Sequence, residues 1–299
     1  MTQILHLQET SHPDQQAGQN FEALFGIDSI KQELLSSLLL MLDSQKLEKW
    51  VKQHHPKTGN FLKDLIDHQK LAILAGEVGC GKTMLANSIG TPLAQKLDKK
   101  ILSLESPTNI RGQGMVGELS ARITSLFDQA KSKVQGKYGL LIIDEADDLA
   151  TSRSQMQAHH EDRAGVNVLA RQIDSLSKEQ INLAVILITN RFSTLDPAIL
   201  RRSATTLHFE RPNAETRQNL FIYIFKELDF QVSEIEISKL VNVTERDSIR
   251  FTYSDILKKG LKTALAMAFE SDVPLTPALL TDVLTKMEPT PMIKESTQN

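Results

Sequence analysis

The sequence predicts an α/β fold in which a five-stranded parallel sheet is flanked by helices and followed by a small helical domain. Short apolar runs alternate with segments of helical periodicity, which is typical of a parallel sheet with helices on both faces. The apolar runs lie at residues 71–75, 100–106, 138–145, 182–189 and, more weakly, 205–210. Only helical patterns follow Pro212, so we place a domain boundary near Arg211 and Pro212.

The composition is that of an ordinary globular protein. The chain has 299 residues, of which 40% are hydrophobic and 24% charged, and its net charge is −3. These values exclude collagen and a long disordered chain, and Cys80, as the only cysteine, excludes a disulfide scaffold. No apolar stretch approaches the ~20 residues that span a bilayer, and the N-terminus lacks the features of a signal peptide. We therefore expect a cytoplasmic protein with no membrane partner. The charge balance disfavours a broadly basic nucleic-acid binder but leaves a local basic loop open.

The elements are predicted in order along the chain. Residues 1–20 are polar without a sustained period and are expected to form a flexible N-terminal arm. Apolar positions at helical spacing predict one helix over 28–54, with Asp28 or Ser29 as its cap. Further helices are predicted near 82–97, 117–135, 161–177, 213–228, 234–242, 253–269 and 276–287. The expected domains are a large α/β domain over 21–211, a small helical domain over 212–287 and a flexible tail over 288–299.

Residues 76–83 match G-x-x-x-x-G-K-[ST], the phosphate-binding P-loop, between a predicted strand and a predicted helix. Its glycines let successive backbone N–H groups point at phosphate oxygens, and the helix N-terminus adds a favourable dipole. Lys82 is expected to reach the β- and γ-phosphates, and Thr83 to ligate Mg²⁺. A glycine turn with a chance G-K-T is the alternative, which the flanking elements disfavour. ATP binding is assigned to Gly76, Val78, Gly79, Cys80, Gly81, Lys82, Thr83 and Met84.

Polar groups end two later predicted strands. Asp144 follows a buried run and is assigned to the Mg²⁺ shell, and Glu145 is positioned to polarise the attacking water as a general base. Asn190 ends the next run and is expected to hold that water or to contact the γ-phosphate. The alternatives are an acidic helix cap for the first pair and an asparagine turn for the third residue.

A short predicted helix over 195–202 ends in the paired arginines Arg201 and Arg202. A guanidinium placed against the γ-phosphate of a neighbouring subunit stabilises the charge that spreads in the transition state. A solvated basic helix end is the alternative reading of this pair.

These motifs, in this order, resemble the AAA+ ATPases, and the resemblance covers about residues 21–285. It implies that Gly26 and Ile27 lie in the segment that contacts adenine, that Asn190 is sensor 1 and that Arg202 is the trans-acting arginine finger. It also implies a P-loop AAA+ module with a C-terminal lid domain. Proteins of this family are usually hexameric rings with each ATP site at a subunit interface.

A narrower resemblance is carried by residues 161–174, EDRAGVNVLARQID. This segment is similar to the corresponding helix of the pachytene-checkpoint (thyroid-receptor-interactor) branch, which remodels HORMA-domain proteins. A small bacterial version accompanies HORMA proteins and cyclic-oligonucleotide synthases in anti-phage operons (CBASS). The resemblance therefore implies a HORMA-domain partner, a homo-hexamer and an indirect link to a cyclic-oligonucleotide synthase.

The sequence departs from the family pattern at three places. In the first pore loop, Met115, between Gly114 and Val116, replaces the aromatic residue that grips polypeptide in many relatives, and methionine can still make varied apolar contacts. The sensor 2 region lacks its expected arginine, for which Arg250 is a candidate substitute. Thr205 stands where some relatives carry a second finger arginine.

Together these features predict an ATP-driven remodeller that disassembles the closed, peptide- or nucleotidyltransferase-bound complex of a HORMA protein and so restrains anti-phage signalling. One alternative is a general unfoldase or protease partner, since the chain does not legibly encode its substrate. A DNA-associated switch is a further alternative, but no basic DNA-binding helix or winged-helix domain accompanies the motifs.

Overall fold

The computed structural model describes residues 5–57, 61–62, 69–107, 110, 117–149, 160–179 and 181–292. The chain divides into two compact units. The first comprises Met1–Ala75 and Lys82–His208, and the second comprises Gly76–Gly81 and Phe209–Asn299. None of the helices in these described ranges is both long and apolar enough to cross a membrane.

A mostly parallel sheet of six strands in the order β1-β3-β4-β5-β2-β6 forms the centre of the first unit. Its strands are β1 Gln8–His12, β2 Leu71–Gly76, β3 Ile101–Glu105, β4 Tyr138–Ile143, β5 Leu183–Thr189 and β6 Ser203–Phe209. Strands β2, β3, β4 and β5 run parallel, and every residue of β5 is buried. The predicted α/β class and all five predicted strands are confirmed, and β1 is an additional, antiparallel strand.

The helices of this unit are α1 Gln15–Glu22, α2 Asp28–Leu42, α3 Ser44–His54, α4 Lys82–Ser88, α5 Gly90–Leu97, α6 Glu118–Val134, α7 His160–Lys178 and α8 Pro197–Leu200. The single helix predicted over 28–54 is two helices, because Asp43 leaves the helical conformation and its carboxylate accepts a 3.0 Å hydrogen bond from Lys46 N as the cap of α3. The predicted cap of α2 is also wrong: Asp28 is its first residue, and no side chain caps it.

The prediction of a flexible arm is wrong for residues 8–20. Strand β1 pairs with β3 along its whole length, and α1 follows it with Ala17 buried. Strand β1 could not be predicted from the sequence because it is polar and shows no apolar alternation. Its position depends instead on pairing with β3 and on one buried side chain, His12. Residues 1–4 lie outside the described part of the chain.

His12 is 1% exposed and is held by two hydroxyl groups. Its Nδ1 lies 2.9 Å from Thr91 Oγ1, and its Nε2 lies 2.9 Å from Ser103 Oγ. Because Thr91 Oγ1 donates to the carbonyl of Asp14, it can accept from Nδ1–H, which leaves Nε2 to accept from Ser103. Burial lowers the pKa of His12, although the charge of Asp14 opposes this effect. The imidazole is therefore buried in its neutral form.

We expect acid to loosen this attachment. Because the pKa of His12 is lower in the folded chain than in the unfolded chain, its contribution to stability is complete above the unfolded value of 6.5 and is lost as the pH falls below it. Between about pH 7 and pH 5, the free energy of unfolding should fall more in the wild type than in His12→Gln. Urea unfolding of both proteins at the two pH values measures this difference, and an equal fall in both would contradict the prediction.

The second unit is mainly helical. Its elements are α9 Ala214–Glu227, α10 Glu234–Val243, a short hairpin of β7 Glu245–Arg246 and β8 Ile249–Arg250, a π-helical segment Ser254–Leu261 that continues as α11 Lys262–Glu270, and α12 Pro277–Lys286. The four predicted helices are present, and the hairpin corrects the expectation of helices alone.

A buried carboxylate, Asp255, organises this unit. It is 0% exposed and accepts hydrogen bonds from Thr252, Lys259 and Thr290, including two from backbone N–H groups. Burial alone would raise the pKa of Asp255, but these hydrogen bonds hold it well below its usual range. Two of these hydrogen bonds come from the backbone and the side chain of Thr290, which lies in the predicted flexible tail over 288–299. The tail is therefore held against the second unit as far as Thr290, and the prediction of flexibility is wrong up to this residue.

Candidate nucleotide site

The topology brings the predicted motifs to one edge of the sheet. Ala75 in β2 pairs with Thr189 in β5, and Ile143 in β4 pairs with Leu187 in β5. Because these strands are parallel, their carboxyl ends meet at the same edge, which is where ligands bind in open α/β sheets. The P-loop, Asp144 and Asn190 all follow directly from these strand ends.

The P-loop backbone has a positive φ at three glycines, Gly76, Gly79 and Gly81, and the φ of Gly81 is 98°. Gly76 has φ 134°, and a Cβ atom there would lie 2.1 Å from the carbonyl oxygen of Phe209. Gly79 has φ 79°, and a Cβ atom there would lie 2.8 Å from Thr252 Oγ1. In the same loop, Cys80 is buried. The spacing of the motif thus follows from backbone conformation as well as from phosphate access.

Helix α4 begins at the motif lysine and places the next two side chains beside the loop. Lys82 is 5% exposed, Thr83 is exposed and Met84 is half-buried. The hydroxyl of Thr83 donates a 2.7 Å hydrogen bond to Asp144 Oδ2. A hydroxyl and a carboxylate are the hard oxygen ligands that Mg²⁺ takes, so the two residues assigned to the metal are in contact and fit it chemically.

Glu145 stands in a strained backbone conformation immediately after Asp144. Its φ and ψ are 54° and 42°, in the left-handed region that few residues other than glycine occupy. Its N–H donates a 2.8 Å hydrogen bond to Asp144 Oδ1, and its side chain is exposed. Backbone strain of this kind is concentrated at functional sites. Here the strained conformation directs the side chain of Glu145 into the solvent, while Asp144 faces Thr83.

The end of β5 is tied to the segment that follows Glu145. Thr189 is 0% exposed, and its hydroxyl donates a 2.9 Å hydrogen bond to Asp147 Oδ1 while accepting a 3.0 Å bond from Arg191 N. The next residue, Asn190, is half-buried. These bonds fix the backbone on both sides of Asn190 relative to the acidic pair.

Sequence reasoning missed one acid of this edge, Glu105, the last residue of β3. Glu105 Oε2 accepts a 3.1 Å hydrogen bond from Asn87, which lies on α4 one turn beyond Thr83. Burial raises the pKa of Glu105, the bond from Asn87 lowers it, and the charge of Asp144 raises it further, with a net rise. Its position at a strand end is the signal that identified Asp144 and would have found it.

The paired arginines differ in their surroundings. Arg202 makes a bidentate pair with Asp174 of α7, with Nε 2.7 Å from Oδ1 and Nη2 2.9 Å from Oδ2, and its Nη1 donates to the carbonyl of Ala198 at 2.8 Å. The hydrogen bond to Asp174 raises the pKa of Arg202, whose side chain remains 31% exposed. Arg201 is exposed. Asp174, which ends the segment that carries the HORMA-remodeller resemblance, was not singled out from sequence.

The remaining residues predicted from the family resemblance lie in the adenine-binding segment, in β6 and in the first pore loop. Gly26 and Ile27 directly precede α2, and Ile27 is 7% exposed. Thr205 donates a 3.0 Å hydrogen bond to Glu33, which ties β6 to α2. The pore-loop residues Gly114, Met115 and Val116 lie outside the described residues.

Comparison with known proteins agrees with this geometry. Residues 72–212 match the model of the ATPase family associated with various cellular activities (AAA). The CD-NTase-associated protein 6 of Escherichia coli strain MS 115-1 is 35% identical over 289 residues, which cover 93% of each chain. The chain belongs to this family of AAA ATPases. It is therefore an ATPase that binds nucleotide.

Solved structures of this family have the same fold. A chain in the structure of the E. coli MS115-1 HORMA:CdnC:Trip13 complex is 33% identical, with a TM-score of 0.88 over 98% of this ATPase and 99% of that chain. The structure of Rhizobiales Trip13 is 29% identical, with a TM-score of 0.71 over 95% and 98% of the two chains. The likeness thus extends well beyond the nucleotide motifs.

Proposed function

We propose that this ATPase is a homo-hexameric, ATP-driven remodeller of a HORMA-domain protein in the cytoplasm. It disassembles a closed HORMA complex that holds a peptide or a nucleotidyltransferase and thereby restrains anti-phage second-messenger signalling. One observation carries the proposal: the likeness to a chain of the HORMA:CdnC:Trip13 complex extends over nearly the full length of both chains.

The positions of these residues support the following proposed roles. Lys82 binds the β- and γ-phosphates, Thr83 and Asp144 hold Mg²⁺, Glu145 takes the proton of the attacking water, and Asn190 orients that water or the γ-phosphate. When bound, Mg²⁺ neutralises phosphate charge. The 2.7 Å contact between Thr83 and Asp144 and the outward turn of Glu145 support this division of labour between the two acids.

Arg202 serves the ATP of the neighbouring subunit. Its bidentate pair with Asp174 holds the guanidinium in one orientation, while a third of the side chain stays exposed. A guanidinium has five N–H donors, and three of its nitrogens are engaged once each, so donors remain for a phosphate. Asp174 is thus a positioning residue for the finger.

ATP-driven pulling would open a HORMA complex by breaking its topological lock. A closed HORMA domain wraps a mobile segment around its bound peptide, and several strand hydrogen bonds must break together before the peptide can leave. In the proposed mechanism, the Met115 loop grips one end of the HORMA chain, and each ATP cycle pulls on it. The released peptide or nucleotidyltransferase then no longer supports signalling.

The test is disassembly of a preformed complex. We expect the wild-type ATPase with ATP to separate a HORMA–peptide or HORMA–nucleotidyltransferase complex in size-exclusion chromatography, and Lys82→Ala to leave it intact because nucleotide binding is lost. Met115→Asp, which places a charge where apolar contact is needed, should lower the amount of complex separated per ATP hydrolysed, whereas Met115→Leu should not. A complex that stays intact while the wild type hydrolyses ATP would contradict the HORMA assignment and favour a general unfoldase.

A further inference from the structure

The first six residues of the P-loop are anchored to the C-terminal chain within the second unit. Residues 76–81 belong to this unit, whereas Lys82 belongs to the first. Two of these loop residues, Glu77 and Gly79, contact the segments 209–211 and 250–255 through defined hydrogen bonds. The two anchor points are separate in sequence and chemically different.

The first anchor is a buried ion pair. Arg211 Nε donates a 2.7 Å hydrogen bond to Glu77 Oε2, and its Nη1 donates a 2.7 Å bond to the carbonyl of Arg250. The side chain of Arg211 is only 3% exposed and that of Glu77 is 26% exposed. The N–H of Glu77 also donates to the carbonyl of Phe209 at 3.4 Å. The buried guanidinium of Arg211 thus binds both the carboxylate of Glu77 in the P-loop and the carbonyl of Arg250 in β8. It thereby holds the loop in place against this strand.

The second anchor acts on a peptide group of the loop. Ser254 N donates a 3.1 Å hydrogen bond to the carbonyl of Gly79. That carbonyl shares a rigid peptide plane with the N–H of Cys80, so the bond sets the direction in which this N–H points and polarises it. Thr252, which lies in the same turn as Ser254, packs closely against Gly79. The hydroxyl of Thr252 donates a hydrogen bond to Asp255, which also accepts one from Thr290. The loop is thus connected to the far end of the unit.

We propose that Arg211 and the turn formed by residues 252–255 are positioning elements that transmit nucleotide binding from the P-loop to the C-terminal helices. Residues 251–255 contain no arginine, and Arg250, the candidate substitute for sensor 2, binds Arg211 through its backbone carbonyl. In this proposal the response therefore passes through the loop backbone. Phosphate binding orders the N–H groups of the loop, and the two anchors carry that ordering into the π-helical segment and the Asp255 network. The inference rests on the nucleotide site proposed above.

The experiment compares two arginines of the same unit. Arg211→Met removes the anchor on the P-loop, and Arg246→Met is the matched control because Arg246 also pairs with a carboxylate, Glu288 at 2.7 Å, and bonds backbone carbonyls, but does so at the C-terminal end. The measurements on the full chain are affinity for a non-hydrolysable ATP analogue and hydrogen exchange of residues 254–292 with and without that analogue.

In the wild type and in Arg246→Met, we expect the analogue to slow exchange over residues 254–292. In Arg211→Met that protection should be lost, and affinity should fall by about tenfold, as for the loss of one charge-assisted hydrogen bond. Arg211→Lys should restore part of the protection because it keeps the charge. Glu77→Gln should also lose the protection, because it removes the carboxylate that Arg211 binds. It provides a second test of the proposal if Arg211→Met folds poorly.

Two results would overturn the proposal. One is an Arg211→Met or Glu77→Gln protein whose nucleotide-dependent protection equals that of Arg246→Met. The other is a wild type that binds the analogue without any change over residues 254–292. A failure of the nucleotide site itself would look different, because the analogue would then bind Lys82→Ala as tightly as the wild type.

Discussion

Replacing Arg202 with alanine is expected to lower ATP hydrolysis by about 10³–10⁵-fold, the range found for trans-acting arginine fingers, while each subunit still binds ATP. In the proposed role, its guanidinium would stabilise charge on the γ-phosphate of a neighbouring subunit and take no part in its own P-loop. Steady-state phosphate release and equilibrium binding of ATP measure the two effects separately. Arg201→Ala is the matched control, since Arg201 is the adjacent, exposed arginine.

Mixed rings decide whether Arg202 acts in trans. Subunits carrying Arg202→Ala and subunits carrying Lys82→Ala are each expected to be inactive. In the proposed ring, mixing them would create interfaces at which an intact P-loop faces an intact finger. Activity should therefore partly return under conditions that allow subunits to exchange. Asp174→Asn should lower hydrolysis less than Arg202→Ala, because it releases the guanidinium without removing it. If mixing restores nothing, or if Arg201→Ala proves the more damaging change, the assignment of Arg202 is wrong.

Glu145→Gln is expected to bind ATP normally and to hydrolyse it about 10²–10⁴-fold more slowly, which is the usual contribution of a general base. The glutamine keeps the size of the side chain and the backbone N–H that bonds Asp144, and the contact between Thr83 and Asp144 is untouched. Only the capacity to accept a proton is lost. The same pair of measurements, phosphate release and ATP binding, applies.

Glu105→Gln serves as the control for this prediction. Glu105 is a second carboxylate near Asp144, but it is half-buried and bonded to Asn87, whereas Glu145 is exposed. A larger loss of turnover in Glu105→Gln than in Glu145→Gln, or near-normal turnover in the latter, would transfer the role of the base to the acid that sequence reasoning overlooked.

The parts of the fold that could be predicted from sequence are those with a local chemical signature. The buried strands β2, β4 and β5 are continuous apolar runs because both faces of a parallel sheet are covered, and the P-loop has a fixed pattern because backbone conformation requires its glycines. The location of Asp144 and Asn190 at one edge of the sheet could be predicted because each directly follows such a run, and ligands bind at this edge in open α/β sheets.

The parts that could not be predicted depend on partners far away in the chain. Strand β1 is polar, and its place is defined by pairing with β3, by the hydroxyl groups around His12 and by the ion pair of Glu9 with Lys133. The partner of Arg202, on another helix, gives no local signal, and neither does the pairing of Glu77 with Arg211 across 134 positions. The break at Asp43 was missed because helical periodicity continues on both sides of a residue whose side chain caps the second helix.

The pairing of β1 with β3 also has a consequence for solubility. Without residues 8–12, the backbone N–H and C=O groups of β3 along this side would be unpaired and would form an open template for strands of other molecules. With them, the border of the sheet is a five-residue polar strand whose Glu9 pairs with Lys133 at 2.5 Å. Short, charged border strands resist intermolecular pairing. A chain beginning at Phe21 would retain every nucleotide motif and yet be prone to aggregate.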